Sequence, residues 1–161
     1  MATTSTQKTE NGKSDLVLTR TLAAPRDVVF RAWVDPVHFE KWWSPKGYTN
    51  DVRILDARPE GIIDMDMIGP DGNRFQMGGT FHEIVPPEKI VFTTRGFRQP
   101  NGDWDLEVLN TVTFADEGGK TLLTLNVIVT KSTPEMAGPL SGMNEGWNQS
   151  LDKLENLVTN K

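Results

Sequence analysis

The chain has 161 residues, of which 37% are hydrophobic and 24% charged, with a formal net charge of −5 and no cysteine. That length and mix fit one globular domain with a sizeable core. The acidic balance, with no basic stripe, excludes a nucleic-acid partner, because phosphate contacts need a concentrated cationic face. No apolar run is long enough to insert across a bilayer. The lack of cysteine removes disulfides, thiolate catalysis and cysteine metal sites, and agrees with a cytoplasmic setting.

Residues 1–14, MATTSTQKTENGKS, have no apolar core of a secretory signal and read as a disordered polar tail. Residues 15–22, DLVLTRTL, alternate as a first strand, with Leu16, Leu18 and Leu22 on one face and Arg20 interrupting it. After the Ala24-Pro25 break, Val29, Phe30 and Trp33 fall at helical spacing. Asp35 as N-cap and Pro36 at the first helical position start a second short helix, which Pro45 and Gly47 end. Its last turn, HFEKWWSP, holds Trp42 and Trp43 side by side. Adjacent helical side chains point about 100° apart. Trp42 is therefore expected to anchor the helix, and Trp43 to turn to a second surface.

Strands are predicted over 51–55, 61–68, 74–85, 89–97, 107–115 and 120–130. Turn signals at Pro70-Asp71-Gly72, Pro86-Pro87-Glu88 and Glu117-Gly118-Gly119 make neighbours antiparallel. Gly78-Gly79 lies inside a strand and marks a bend or bulge rather than a phosphate loop. Residues 97–106 form the longest polar connection, a candidate mobile loop. A long C-terminal helix follows, with Ser132 and Glu135 as a capping box. Its apolar stripe runs Met136, Leu140, Met143, Trp147, Leu151, Leu154 and Val158. Beside it run Gly138, Gly142 and Gly146, read either as close packing on the sheet or as room left for a ligand.

The fold class is therefore α+β: a curved antiparallel sheet with a long helix across its concave face and two short helices after the first strand. The blocks FRAWVDPVHFEKWWSPKGY, PEGIIDMDMIGPDGNRFQMGGTFHEIVPPEKIVFT and GMNEGWNQSLDKLENLV resemble the family of the activator of the heat-shock-protein-90 ATPase. The likeness covers roughly residues 15–158. It implies a START-like (SRPBCC) helix-grip fold over 15–158 as one domain. Relatives in that superfamily bind lipids, hormones and polyketides, and some cyclise or dehydrate polyketides. The chaperone activator's extra N-terminal domain has no counterpart before residue 15, so chaperone activation is not carried over with the family.

Chemistry-bearing residues are few. His38 and His82 are the two histidines, too few for a zinc site, and no cofactor fingerprint is present. Asp64 and Asp66 share one face of a strand and read as its solvent face, opposite Ile63, Met65 and Met67. Large soft side chains from every element form the candidate cavity lining: Trp33, Trp43, Met65, Met67, Phe75, Met77, Phe92, Trp104, Met143 and Trp147. The favoured reading is a non-covalent receptor for a hydrophobic or aromatic small molecule. One alternative is a cyclase- or hydrolase-like enzyme using Asp64, Asp66, His82, Glu107 and Asn110. The other is a protein-interaction module: chaperone contact, or a homodimer through a sheet edge or the short helices.

Overall fold

The computed structural model describes residues 3–6 and 15–159. Its sheet has eight strands in the order β1-β2-β8-β7-β6-β5-β4-β3. These are β1 Thr3–Thr6, β2 Leu16–Leu22, β3 Thr49–Leu55, β4 Ile62–Ile68, β5 Arg74–Val85, β6 Lys89–Arg98, β7 Trp104–Glu117 and β8 Lys120–Ser132. Every neighbouring pair is antiparallel. Within the polar tail, Thr3–Thr6 pair with Val17–Arg20 at one edge, and residues 7–14 lie outside the described residues. Between β2 and β3 come α1 (Arg26–Val34) and α2 (Pro36–Trp42).

The sheet curves around the C-terminal helix as expected of a helix-grip fold, but that helix is not one rod. A 3-10 turn (Pro134–Met136) leads into α3 (Ala137–Ser141), a break follows at Gly142, and α4 runs Met143–Thr159. The Ser132 capping box does not form. Ser132 is the last residue of β8, and Thr133 caps the 3-10 turn with no side-chain hydrogen bond. Pro139 has no N–H to reach back to residue 135, which interrupts the ladder where the 3-10 turn passes into α3, and Gly142, a poor helix former, ends α3. The predicted 97–106 loop is also shorter, because β6 extends to Arg98 and β7 begins at Trp104. Gln99 to Asp103 close a tight turn through Gln99 N–H to Asp103 O at 2.7 Å.

Alternation in the strands fixes two faces. The row Met65, Met77, Gly96 and Leu106 pairs across β4 to β7 and faces the helix. The row Asp64, Gly78, Arg95 and Glu107 pairs likewise and faces away. Asp35 caps α2 as its sequence predicts, its side chain accepting from Val37 N at 2.9 Å. Trp42 is fully buried and donates from its indole to Ala32 O at 2.8 Å, which locks α2 to α1. Arg20 does lie on the core-facing row of β2. It is only 4% exposed because its guanidinium reaches Asp152 at 2.7 Å and Glu155 at 3.6 Å on α4. The interruption in the first strand's apolar pattern is thus the tie between sheet and helix.

Candidate ligand cavity

A cavity of about 770 Å³ lies between the sheet's concave face and the C-terminal helices. Four sources build it. The strands supply Met67, Phe75, Met77 and Val108, and the 3-10 turn and α3 supply Met136 and Leu140. The first turns of α4 supply Met143 and Trp147, and the segment after α2 supplies Trp43, Ser44 and Tyr48. The cavity opens where Phe75 and Phe97, each 43% exposed, meet the solvent.

The segment after α2 reaches this position for a local reason. Trp43 leaves the helix in an extended conformation (ψ 146°), and Ser44 then takes a left-handed φ of 81°. That pair of angles turns the Trp43 ring from the helix axis toward α4, where it meets Trp147 edge-on at 5.2 Å. Lys153 holds the turn, donating to the carbonyls of Ser44, Pro45 and Tyr48 at 3.1, 3.4 and 3.2 Å. Burial lowers the Lys153 pKa from its ordinary value.

Of the ten residues expected to line a cavity, the structure brings six to it: Trp43, Met67, Phe75, Met77, Met143 and Trp147. Trp33, Met65 and Phe92 have the right face but lie deeper, as 1%, 0% and 1% exposed core. Trp33 fills the space under Trp147, their rings stacked at 6.3 Å. Trp104 is on the other side of the sheet. It lies over Gly78, where an added Cβ would come within 3.2 Å of the indole, and the Arg98 guanidinium covers its ring at 5.3 Å.

The polar candidates separate in the same way. Asp64 and Asp66 are bound by Arg53 at 2.9 and 3.0 Å, and Asp66 also by Arg74 at 2.9 Å, all on the convex face. The hydrogen bond from Arg53 is the main cause that holds both carboxyls below their usual range. Glu107 is lowered by Thr130 and Arg95 on that same face. His82 is exposed beside a bulge in β5, its Nε2 2.7 Å from Thr93 Oγ1, and His38 pairs with Asp35 at 3.1 Å on the surface. Among the described residues no group of three or more His, Cys, Asp or Glu could hold a metal. None of the described helices is long and apolar enough to cross a membrane.

Asn110 is the exception. It is 0% exposed and lies on the cavity floor. Its amide nitrogen donates to Phe92 O at 3.3 Å and to Thr94 Oγ1 at 3.2 Å, while Oδ1 has no partner. Ser44 Oγ, also at the cavity wall, is buried without a partner. Asn110 carried a signal in the sequence: Leu106, Val108, Val112 and Phe114 all share its face of β7, so an amide there must point into the interior. Ser44 carried none, because a residue before proline ordinarily stays extended.

The glycine row is not pressed against the sheet: Gly138 is exposed, and a Cβ on Gly146 would meet Pro45 Cγ at 3.6 Å, an ordinary contact. A Cβ on Gly138 would meet nothing within 4 Å, and one on Gly142 only Pro139 O at 3.8 Å. Gly142 and Gly146 border the cavity.

Comparison with known proteins agrees with this architecture. A protein from Chromobacterium violaceum is 29% identical, with 90% of this chain and 97% of that one covered and a TM-score of 0.78. A protein from Silicibacter pomeroyi described as AHSA1 is 25% identical over 86% of this chain and 93% of its own, with a TM-score of 0.69. A protein from Arthrobacter aurescens shares the fold at 19% identity and a TM-score of 0.85, over 96% of this chain and 91% of that one. No curated protein matches the chain. The profile of the family described as activator of Hsp90 ATPase homolog 1-like protein matches residues 23–159, and the chain belongs to that family, as a small START-like helix-grip protein.

Proposed function

We propose that this protein binds a hydrophobic, aromatic small molecule non-covalently by enclosing it between sheet and helix. The observation that carries the reading is the cavity of about 770 Å³ walled by Trp43, Trp147, Met67, Met77 and Met143. Ligand sites typically run from about 300 to 1,000 Å³ and are mostly apolar with a few placed polar groups. Tryptophan supplies broad rigid walls, and methionine adapts to an irregular outline. Burying apolar ligand surface contributes roughly 25 cal/mol per Å² before the costs of ordering. Catalysis of the cyclase or hydrolase sort would need acid–base groups at the cavity. Asp64, Asp66, Glu107 and His82 instead have their partners on the convex face or at the strand surface.

The test is native mass spectrometry of the purified chain against an extract of lipids and aromatic metabolites. A retained adduct is expected for the native sequence and its loss for Trp147→Ala, with circular dichroism confirming that the variant still folds. An adduct held equally by a folded Trp147→Ala, or no adduct at all, overturns the reading.

A further inference from the structure

Asn110, the most deeply buried of the polar side chains that border the cavity, defines the ligand more narrowly. Resting on the enclosure reading, the geometry points to a neutral ligand carrying a hydroxyl, an apolar alcohol or phenol whose O–H donates to Asn110 Oδ1.

The argument begins with the orientation of the amide. Phe92 O is a backbone carbonyl and can only accept, so the Asn110 atom facing it at 3.3 Å is the NH₂ group. That leaves Oδ1, an acceptor with two lone pairs, without a partner at the floor of an otherwise greasy chamber. An unsatisfied buried oxygen costs about 1–3 kcal/mol, so a donor that reaches it recovers free energy that an apolar group cannot. Oδ1 is itself buried, so the contact requires the Asn110 side chain to shift toward the cavity it borders. Ser44 Oγ can donate or accept and so completes a polar contact without choosing between ligands.

The charge state follows from the charged residues that border the cavity. Arg74 is engaged by Asp51 and Asp66 at 3.0 and 2.9 Å, and Arg95 by Glu107 at 2.9 Å. Arg98 donates to Gln76 at 3.4 Å and lies over the Trp104 ring. The Arg74 and Arg95 side chains point to the convex face, so a carboxylate in the cavity would have to draw one of them from its present partners around the sheet. A cationic amine would be desolvated beside Asn110, and Asp105, the carboxylate among the lining residues, is already engaged by Gln99. A hydroxyl meets neither obstacle.

Three probes of one shape separate the cases: 2-naphthol, 2-methoxynaphthalene and 2-naphthoate, titrated calorimetrically into the native chain and into Asn110→Leu. The expected result is that 2-naphthol binds the native protein at least tenfold more tightly than the other two. In Asn110→Leu the preference over the ether should vanish. Because Asn110 also braces Phe92 O, the variant's fold is checked by thermal melting. If it does not fold, the native protein's naphthol-to-ether ratio decides alone. Equal binding of naphthol and ether overturns the hydroxyl inference and leaves enclosure standing. Naphthoate binding as tightly as naphthol overturns it in favour of the arginines. Failure of all three to bind overturns the enclosure of an aromatic ligand itself.

Discussion

Gly79 and Gly138 are the same residue under opposite constraints. A Cβ on Gly79 would overlap the Thr93 carbonyl oxygen across the strand pair, whereas one on Gly138 would meet open space. Gly79→Ala should therefore lower stability by about 2–3 kcal/mol, since a backbone atom cannot move aside as a side chain can. Gly138→Ala should raise stability by up to about 1 kcal/mol through helix propensity alone. Urea denaturation of the two variants beside the native chain checks both signs. The bulge expected at Gly78-Gly79 does not form there: the register runs unbroken through both glycines and shifts only between Phe81 and Glu83, while Trp104 lies over one glycine and a carbonyl presses on the other. The candidate lining was legible only in part. Strand alternation says which face Met65 and Phe92 share with Met67 and Met77, but not how deep each is. Depth depends on the helix position across the sheet, which α4 sets through Arg20 and Trp147 rather than through any local pattern.

At the scale of elements, the tie between β2 and α4 is asymmetric. Arg20 is 4% exposed while its partner Asp152 is 67% exposed. Removing the carboxylates with Asp152→Ala and Glu155→Ala together leaves the buried guanidinium only its long contacts to Asn148 at 3.3 and 3.5 Å, and should cost about 2–3 kcal/mol. Arg20→Met lets both carboxylates return to water and keeps an apolar stem in the core, so it should change stability by no more than about 1 kcal/mol. A larger loss for Arg20→Met than for the double variant in thermal melts would show that the cation, not its burial, governs this joint. Elements with strong local chemistry were readable from the chain: the Asp35-Pro36 start of α2 and the hairpin turns at 70–72 and 117–119. The division of the C-terminal helix was not. Its apolar stripe is continuous through Leu140 and Met143, but Pro139 interrupts the ladder before α3 and Gly142 ends it, so backbone chemistry prevails over the stripe.

Across the whole molecule, the two sheet faces carry different kinds of stability. Apart from Arg20 and Asn110 the concave face is mostly apolar, and the burial of apolar surface does not change with pH. The convex face carries the chain Asp51, Arg74, Asp66, Arg53 and Asp64, with contacts of 2.9 to 3.0 Å. Asp64 and Asp66 have carboxyl pKa values lowered in the folded state, first by the hydrogen bond from Arg53. The folded protein then binds fewer protons than the unfolded chain, so this contribution is complete above the unfolded carboxyl pKa of about 4 and is lost as pH falls through the lower folded value. Asp66→Asn should flatten the fall in stability below about pH 4 and leave the response to alkali unchanged, which urea midpoints measured across pH will read. The interruption at Gly142 has a kinetic consequence as well. Beyond it, the roof formed by residues 134–142 has Met136 as its one buried side chain, while α4 is pinned by Leu151, Leu154 and Val158. The roof can thus unlatch without fraying the rod behind it, and its amide hydrogens should trade for deuterium well ahead of those around Leu154 until a guest is aboard.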